Sequence, residues 1–315
     1  MTGVQTCALP IFAQGLRPGI ARGFAYSDGW VDDARLVVAN ARAAADLGAD
    51  IRVGTALVSA RRDGQLWRAR LDGLGAGDVT ARMLVNAAGP WVHDVLADRV
   101  GVSSPHGLRL VKGSHIVVPS LYAGEHAFIL QHTDRRVIFV IPYEGDYTLI
   151  GTTDVPYSGD PTVAGISADE TAYLCAAVGR YFTRTLTATD VVWSFAGVRP
   201  LYDDGSADAS EVTRDYVLEV DGADSRAPVL SVFGGKLTTY RKLAEQALER
   251  IAPFFPGLKP PWTARTPLPG GDMRGGFDAL AADAARTYAW LPTRDLMALA
   301  RRHGTDRKST RLNSS

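Results

Sequence analysis

The stretch Gly234-Gly235-Lys236-Leu237-Thr238-Thr239-Tyr240-Arg241-Lys242-Leu243-Ala244 is the part of the chain best suited to chemistry. Two glycines between an apolar run and an amphipathic one let the backbone approach a ligand closely. The helix start that follows offers free N–H groups and the positive end of a dipole to an anionic or electron-rich group. Gly-Gly-Lys alone is a common strand-to-helix turn, so the weight rests on the residues after it. Lys236 is also one of few lysines in an Arg-rich chain, with Lys112, Lys242 and Lys259 outside the C-terminal tail. Where Arg is the default base, a lysine hints at a compact point charge. No His-Glu-x-x-His and no Cys/His cluster occurs, so a metal site is not expected.

The elements that must hold such a turn can be read from periodicity. Asp32 and Asp33 open a helical stretch through Leu47, with Gly48 as its stop. Strand-like runs follow at Ile51–Val53, Ala56–Ala60 and Leu66–Leu71, then a buried strand, Met83 to Gly89, that ends in small residues. This alternation predicts part of an α/β nucleotide-binding sheet. From Leu108 the texture changes. Leu110–Pro119, Ala127–Gln131, Val137–Pro142, Tyr147–Gly151, Val191–Val198 and Tyr216–Val220 read as strands, interrupted by one helix from Ala168 to Phe182. They predict a mostly antiparallel sheet laid over a cofactor. Val229–Phe233 is a further strand, and Leu237, Tyr240, Ala244, Ala247 and Ile251 give the helix after it one apolar face. Prolines 256, 260, 261, 267 and 269 mark a linker, and Phe277 to Arg302 is Ala-rich and helical.

Composition bounds the rest. At 315 residues, 46% apolar and 22% charged, the chain has room for two ordinary globular domains. Apolar runs such as Val137–Pro142 fall far short of the ~20 residues that cross a bilayer, so no transmembrane helix is expected. A peripheral membrane contact is compatible with this composition. Residues Met1 to Phe12 and Arg307 to Ser315 have no periodicity and resemble non-native adapter sequence, so they are set aside from fold reasoning. Cys7 leaves with the first of them, and Cys175 alone makes neither a disulfide nor a metal site, which fits a reducing, cytoplasmic compartment. Without Arg307, Lys308 and Arg311 the charge balance is slightly acidic, and no nucleic-acid partner is expected. The strand–G-x-G-x-x-G–helix opening of a dinucleotide fold is not found, so the native frame is expected to start after it.

Several motifs in order carry a resemblance. They are the Gly234 segment itself, Gly23 to Asp28 (G-F-A-Y-S-D), Trp30 to Leu36 (W-V-D-D-A-R-L) and Asn86 to Trp91 (N-A-A-G-P-W). Leu110 to His115 (L-V-K-G-S-H), Ile150 to Asp154 (I-G-T-T-D), Gly197 to Pro200 (G-V-R-P) and Thr213 to Tyr216 (T-R-D-Y) complete the set. Together they resemble the FAD-dependent glycerol-3-phosphate dehydrogenases of the aerobic bacterial type, from about Gly15 to Gly271 and more loosely to Thr305. The resemblance implies an α/β plus α+β fold. Its parts are an incomplete FAD-binding domain of the glutathione-reductase-like Rossmann kind (13–107, returning at 229–256) and an antiparallel-sheet substrate domain (108–228). A linker and the start of a C-terminal helical domain follow (257–306).

The same resemblance assigns roles. Arg199, Arg214 and Lys236 line the substrate pocket, the arginines offering planar bidentate donors to the phosphate of glycerol 3-phosphate. A single arginine is by default a surface ion pair; placement in the motifs shifts that balance, least for Arg214. Imidazole has an unperturbed pKa near neutrality, so His115 suits the base that takes the alcohol proton, and a hydrogen-bonding pocket histidine is the other reading. His115, Arg199 and Lys236 form the expected catalytic set. Ala88, Gly89, Pro90, Trp91, Gly234, Gly235, Lys236, Leu237 and Thr238 are the expected FAD contacts, with the backbone near Thr55 to Leu57 reaching the adenine. The implied activity is oxidation to dihydroxyacetone phosphate with electrons passed to a quinone, at the inner face of the plasma membrane if peripheral, and a homodimer is admitted. The family's N-terminal third also supplies active-site residues and the first flavin loop, so weak flavin retention by this chain is expected. Competing readings are an oxygen-using glycerol-phosphate oxidase, an amino-acid or amine oxidase of the same architecture, and a non-catalytic fragment.

Overall fold

A short antiparallel ribbon of β1 (Gln5–Thr6) and β2 (Phe24–Ala25) comes first in the computed structural model, which describes residues 5–6, 12–20, 22–203, 216–222 and 226–306. α1 (Asp33–Asp46) starts because the Asp32 carboxylate caps it, accepting from the Arg35 N–H at 2.9 Å. Ile51–Val53, read as a strand, instead leads into a turn at Gly54, whose φ of 66° breaks the extended path. β3 (Thr55–Asp63), β4 (Leu66–Gly73) and β5 (Gly77–Ala81) then pair in that order. β5 has too few apolar residues to announce itself in the sequence. β6 (Leu84–Asn86) runs into a 3-10 turn, Gly89–Trp91, and α2 (Val92–Asp94), which continues as a π-helical stretch to Val100.

The next strands are β7 (Leu108–Pro119), β8 (Phe128–Gln131), β9 (Val137–Tyr143), β10 (Tyr147–Gly151) and β11 (Val155–Pro156). α3 (Ala168–Gly179) and β12 (Trp193–Tyr202) follow. These strands make one antiparallel sheet, ordered β11-β7-β10-β9-β8 with β12 also on β7. Alternation along each strand sends Ile116, Val118, Leu130, Ile138, Val140 and Ile150 to one face, where Leu174 and Val178 of α3 pack on them. Most of these side chains are fully buried, each contributing roughly 1.5–3 kcal/mol relative to exposure. α3 begins in a capping box: Ser167 Oγ accepts from the Glu170 N–H, and the Glu170 carboxylate accepts from the Ser167 N–H.

β13 (Tyr216–Asp221) and β14 (Val229–Gly234) belong to a separate three-stranded sheet, ordered β13-β14-β6. Tyr216–Val220 was expected with the large antiparallel sheet; its register is instead antiparallel to β14, which buries five successive residues and needs a partner on each edge. β14 is parallel to β6, Leu230 facing Val85 and Ser231 facing Asn86. Trp67, fully buried, donates its indole N–H to Pro228 O at 2.8 Å, and Arg62 pairs with Asp221.

The chain divides into two compact units, one of residues 1–28, 59–68 and 80–236 and the other of 29–58, 69–79 and 237–315. The second contains α4 (Tyr240–Ile251), α5 (Gly276–Thr287) and α6 (Thr293–His303). Within it Glu245 accepts from Arg241 (2.9 Å) and from the Thr263 hydroxyl (2.6 Å). The helical run expected from Phe277 to Arg302 is broken before Pro292, which cannot donate within a helix.

Candidate active site

Directly opposed residues of an antiparallel pair share a face of the sheet. β12 opposes Phe195 to His115, Gly197 to Gly113 and Arg199 to Val111, while β10 opposes Gly151 to His115 and β9 opposes Phe139 to Gly151. The register therefore gathers Arg199, Gly113, His115, Phe195, Gly151 and Phe139 on the face away from α3. Trp193 (53% exposed), Phe195 (38%) and Phe139 (39%) leave that face open to a ligand among the residues of this unit.

Arg199 lies across Gly113. A Cβ on Gly113 would stand 2.6 Å from Arg199 Nη2, so only glycine leaves room for the guanidinium. Arg199 Nη1 donates to Asp154 Oδ1 at 2.5 Å and Nη2 donates to Thr152 Oγ1 at 2.9 Å. At 41% side-chain exposure its remaining N–H donors can reach an anion. His115 lies over Gly151: a Cβ there would stand 2.0 Å from the imidazole Cδ2. Its ring stacks on Phe195, centroids 4.8 Å apart and planes 9° from parallel. Gly113 and His115 are two residues apart on β7, which places the two groups about 7 Å apart along the strand.

The opposite side of β7 is a closed polar network. Lys112 Nζ is 2.8 Å from Glu170 Oε2 and also donates to Gly165 O at 2.8 Å. The Ser114 and Thr153 hydroxyls both donate to Glu170 Oε1 at 2.8 Å, and the Ser114 N–H donates to Thr153 Oγ1 at 2.9 Å. Burial pushes the Glu170 carboxyl up, but Lys112, the Ser167 N–H and the two hydroxyls outweigh it and bring the carboxyl down to about 2. Glu170 thus ties β7 to the Thr152–Asp154 segment from behind, while Gly113, Thr152 and Asp154 of the same segments meet Arg199 in front and His115 stands beside them.

A third component sits where β6 and β14 end. Open α/β sheets bind ligands beyond the carboxyl ends of parallel strands. Asn86 folds the turn after β6, its Nδ2 donating to Val92 O (2.9 Å) and its Oδ1 accepting from the Ala88 N–H (3.3 Å). Gly89 has φ of 58°, and the nearest atom to a Cβ there would be Pro200 Cγ at 4.0 Å. Gly89, within the Ala88–Trp91 turn, therefore lies beside Pro200, the residue that follows Arg199. Gly234 (φ 80°) and Gly235 (φ 111°) end β14 on a backbone that side chains rarely tolerate. Lys236 is exposed at the end of this unit, and Leu237 (41% exposed) and Thr238 open the next. Arg214 lies outside the described residues.

Sequence reasoning singled out Arg199, His115 and the glycine turns but gave no role to Asp154, Thr152, Glu170 or Phe195. Asp154 and Thr152 lay within a motif already noted, Ile150 to Asp154; Phe195 had no signal apart from its register. Lys112, noted as an unusual lysine, is spent on Glu170. Among the described residues no His/Cys/Asp/Glu cluster could hold a metal.

The model of the family described as FAD dependent oxidoreductase matches residues 7–241. The chain is 52% identical over 292 residues to a glycerol-3-phosphate dehydrogenase of Pseudomonas aeruginosa, covering 92% of this chain and 57% of that protein. It is 47% identical over 275 residues to a D-erythritol 1-phosphate dehydrogenase of Brucella abortus, covering 86% and 55%. Among solved structures it is similar to the glycerol-3-phosphate dehydrogenase of Bacillus halodurans complexed with FAD, with a TM-score of 0.74, 31% identity, and coverage of 91% of this chain and 56% of that one. The chain thus spans a little over half the length of the curated relatives it matches. The match over 7–241 covers well over half of the chain: this chain belongs to the FAD-dependent oxidoreductase family.

Proposed function

We propose that this chain carries the substrate-facing part of an enzyme that oxidises sn-glycerol 3-phosphate to dihydroxyacetone phosphate, and the observation that supports it most is the shared open face of Arg199 and His115. The substrate phosphate accepts from the Arg199 donors that Asp154 and Thr152 leave, and Lys236 and Arg214 complete the basic set. His115 takes the proton of the carbon-2 hydroxyl. Bound FAD supplies the acceptor for the hydride from carbon 2. The glycine turns suit such a group, because Gly89 has no side chain to fill the space and Gly234 and Gly235 bring bare backbone to the neighbouring strand end. Ala88, Pro90, Trp91, Gly234, Gly235 and Lys236 would hold it from this unit, with Leu237 and Thr238 next in the chain.

Electrons then pass to a quinone, which places the protein against the inner face of the plasma membrane as a peripheral partner, and a homodimer is part of the same reading. Among the described residues no helix is long and apolar enough to cross a membrane. The D-erythritol 1-phosphate relative supports a second substrate of the same class, a longer polyol phosphate.

The test is a holoenzyme in which this chain replaces the equivalent segment of the Pseudomonas relative. Anaerobic stopped-flow reduction of its flavin should be faster with glycerol 3-phosphate than with D-erythritol 1-phosphate, glycerol or amino acids. Arg199→Ala should weaken glycerol 3-phosphate binding and leave unphosphorylated glycerol little changed; equal losses on both would show that Arg199 does not read the phosphate. His115→Asn should slow reduction by about 10²–10⁴-fold and remove an ionisation from the rate–pH profile.

A further inference from the structure

The geometry points to a slot, formed by Gly151 and Phe195, that sets the plane of the His115 imidazole; both are positioning residues for the proton transfer, and the inference rests on the base role given to His115 above. The register places His115 between its two neighbours, Gly151 on β10 and Phe195 on β12. On one side the ring comes so near the backbone that a Cβ on Gly151 would meet Cδ2 at 2.0 Å, Nε2 at 2.5 Å and Cγ at 2.7 Å. On the other, Phe195 lies parallel to it at 4.8 Å and 9°. A ring held this way keeps its plane and loses rotation about the Cβ–Cγ bond. A base works only within hydrogen-bond reach of the proton it takes, and fixing its direction before substrate arrives removes that ordering from the reaction.

The slot also explains two residue choices that core packing does not require. Gly151 ends β10 on the face away from α3, where a side chain would meet the imidazole. Phe195 is 38% exposed, so its ring is not there to fill the core.

Two kinds of measurement test the slot. In the full chain, NMR of the His115 ring protons should show the upfield displacement that a stacked phenyl ring produces. Phe195→Leu should abolish that displacement, Phe195→Tyr should keep it, and Gly151→Ala should abolish it by pushing the imidazole out. In the holoenzyme described above, Gly151→Ala and Phe195→Leu should each slow flavin reduction by about 10- to 10²-fold, while the dissociation constant of glycerol 3-phosphate moves by less than about two-fold. Phe195→Tyr should retain the rate. A Gly151→Ala protein that does not fold leaves Phe195→Leu, at a half-exposed site, to decide. If His115→Asn slows reduction and neither slot variant does, the slot is overturned and the base role stands. If His115→Asn itself leaves the rate unchanged, the base role falls and the slot falls with it. A ring-proton shift indifferent to Phe195→Leu overturns the slot whatever the kinetics.

Discussion

The two faces of the large antiparallel sheet are made by the same strands and differ in almost every physical respect. Behind β7, Lys112, Ser114 and Ile116 are closed in by α3, and each polar atom named there has a partner at 2.8–2.9 Å. In front, Gly113 and His115 face a surface where Arg199 and Asp154 are 41% and 44% exposed and aromatic rings stand half open. Alternation along one strand thus separates what holds the sheet together from what it offers to a ligand. Stability and chemistry can then be altered by changing neighbouring residues.

The largest expected effect comes from breaking the closed face. Glu170→Ala strips Lys112 of its buried partner and should cost about 3–5 kcal/mol in a urea melt, since a lone buried charge is the expensive outcome. Ile138→Ala, in the fully buried layer beside α3, should cost about 2–5 kcal/mol. A milder change sharpens the comparison through pH. The Glu170 carboxyl is brought from 4.5 to about 2, so it contributes stability that is fully present above pH 4.5 and lost as pH falls towards 2. Glu170→Gln should therefore flatten the dependence of melting temperature on pH across that window, and an unchanged acid slope would place the sensitive group elsewhere. The smallest effects belong to the open face. Trp193→Ala and Arg199→Ala should each change stability by no more than about 0.5 kcal/mol, with any loss appearing in ligand binding. A destabilisation there as large as that of Ile138→Ala would show that the front face is packed rather than open.

Much of the architecture was legible because it depends on local pattern. Tyr147–Gly151 and the strands β7, β8 and β9 follow from alternation and β-branched content, α1 from Asp32 as cap, and α3 from the Ser167–Glu170 box. What could not be read depends on pairing between distant segments. Nothing within Tyr216–Val220 says that it pairs with β14 and not with the sheet that precedes it, because an edge strand reads alike in either place. The glycine turn after β14 and the Asn86 turn are visible as composition; that they end adjacent parallel strands is a matter of register.

The candidate site divides the same way. The sequence by itself determined that Arg199, His115, Lys236 and the glycine turns sit in motifs of one flavoprotein family, because residue types and short spacings carry that signal. Only the tertiary structure decided that Gly113 is the shelf for the Arg199 guanidinium, that Asp154 and Thr152 grip it, and that Phe195 and Gly151 enclose His115. Those contacts join residues 36 to 86 positions apart in the chain, from His115–Gly151 and Thr152–Arg199 to Gly113–Arg199, and only the strand register brings them together. It also decided that Lys112, which composition marked as a candidate charge, is committed to Glu170: one residue's step along a strand turns a side chain from the ligand face to the core.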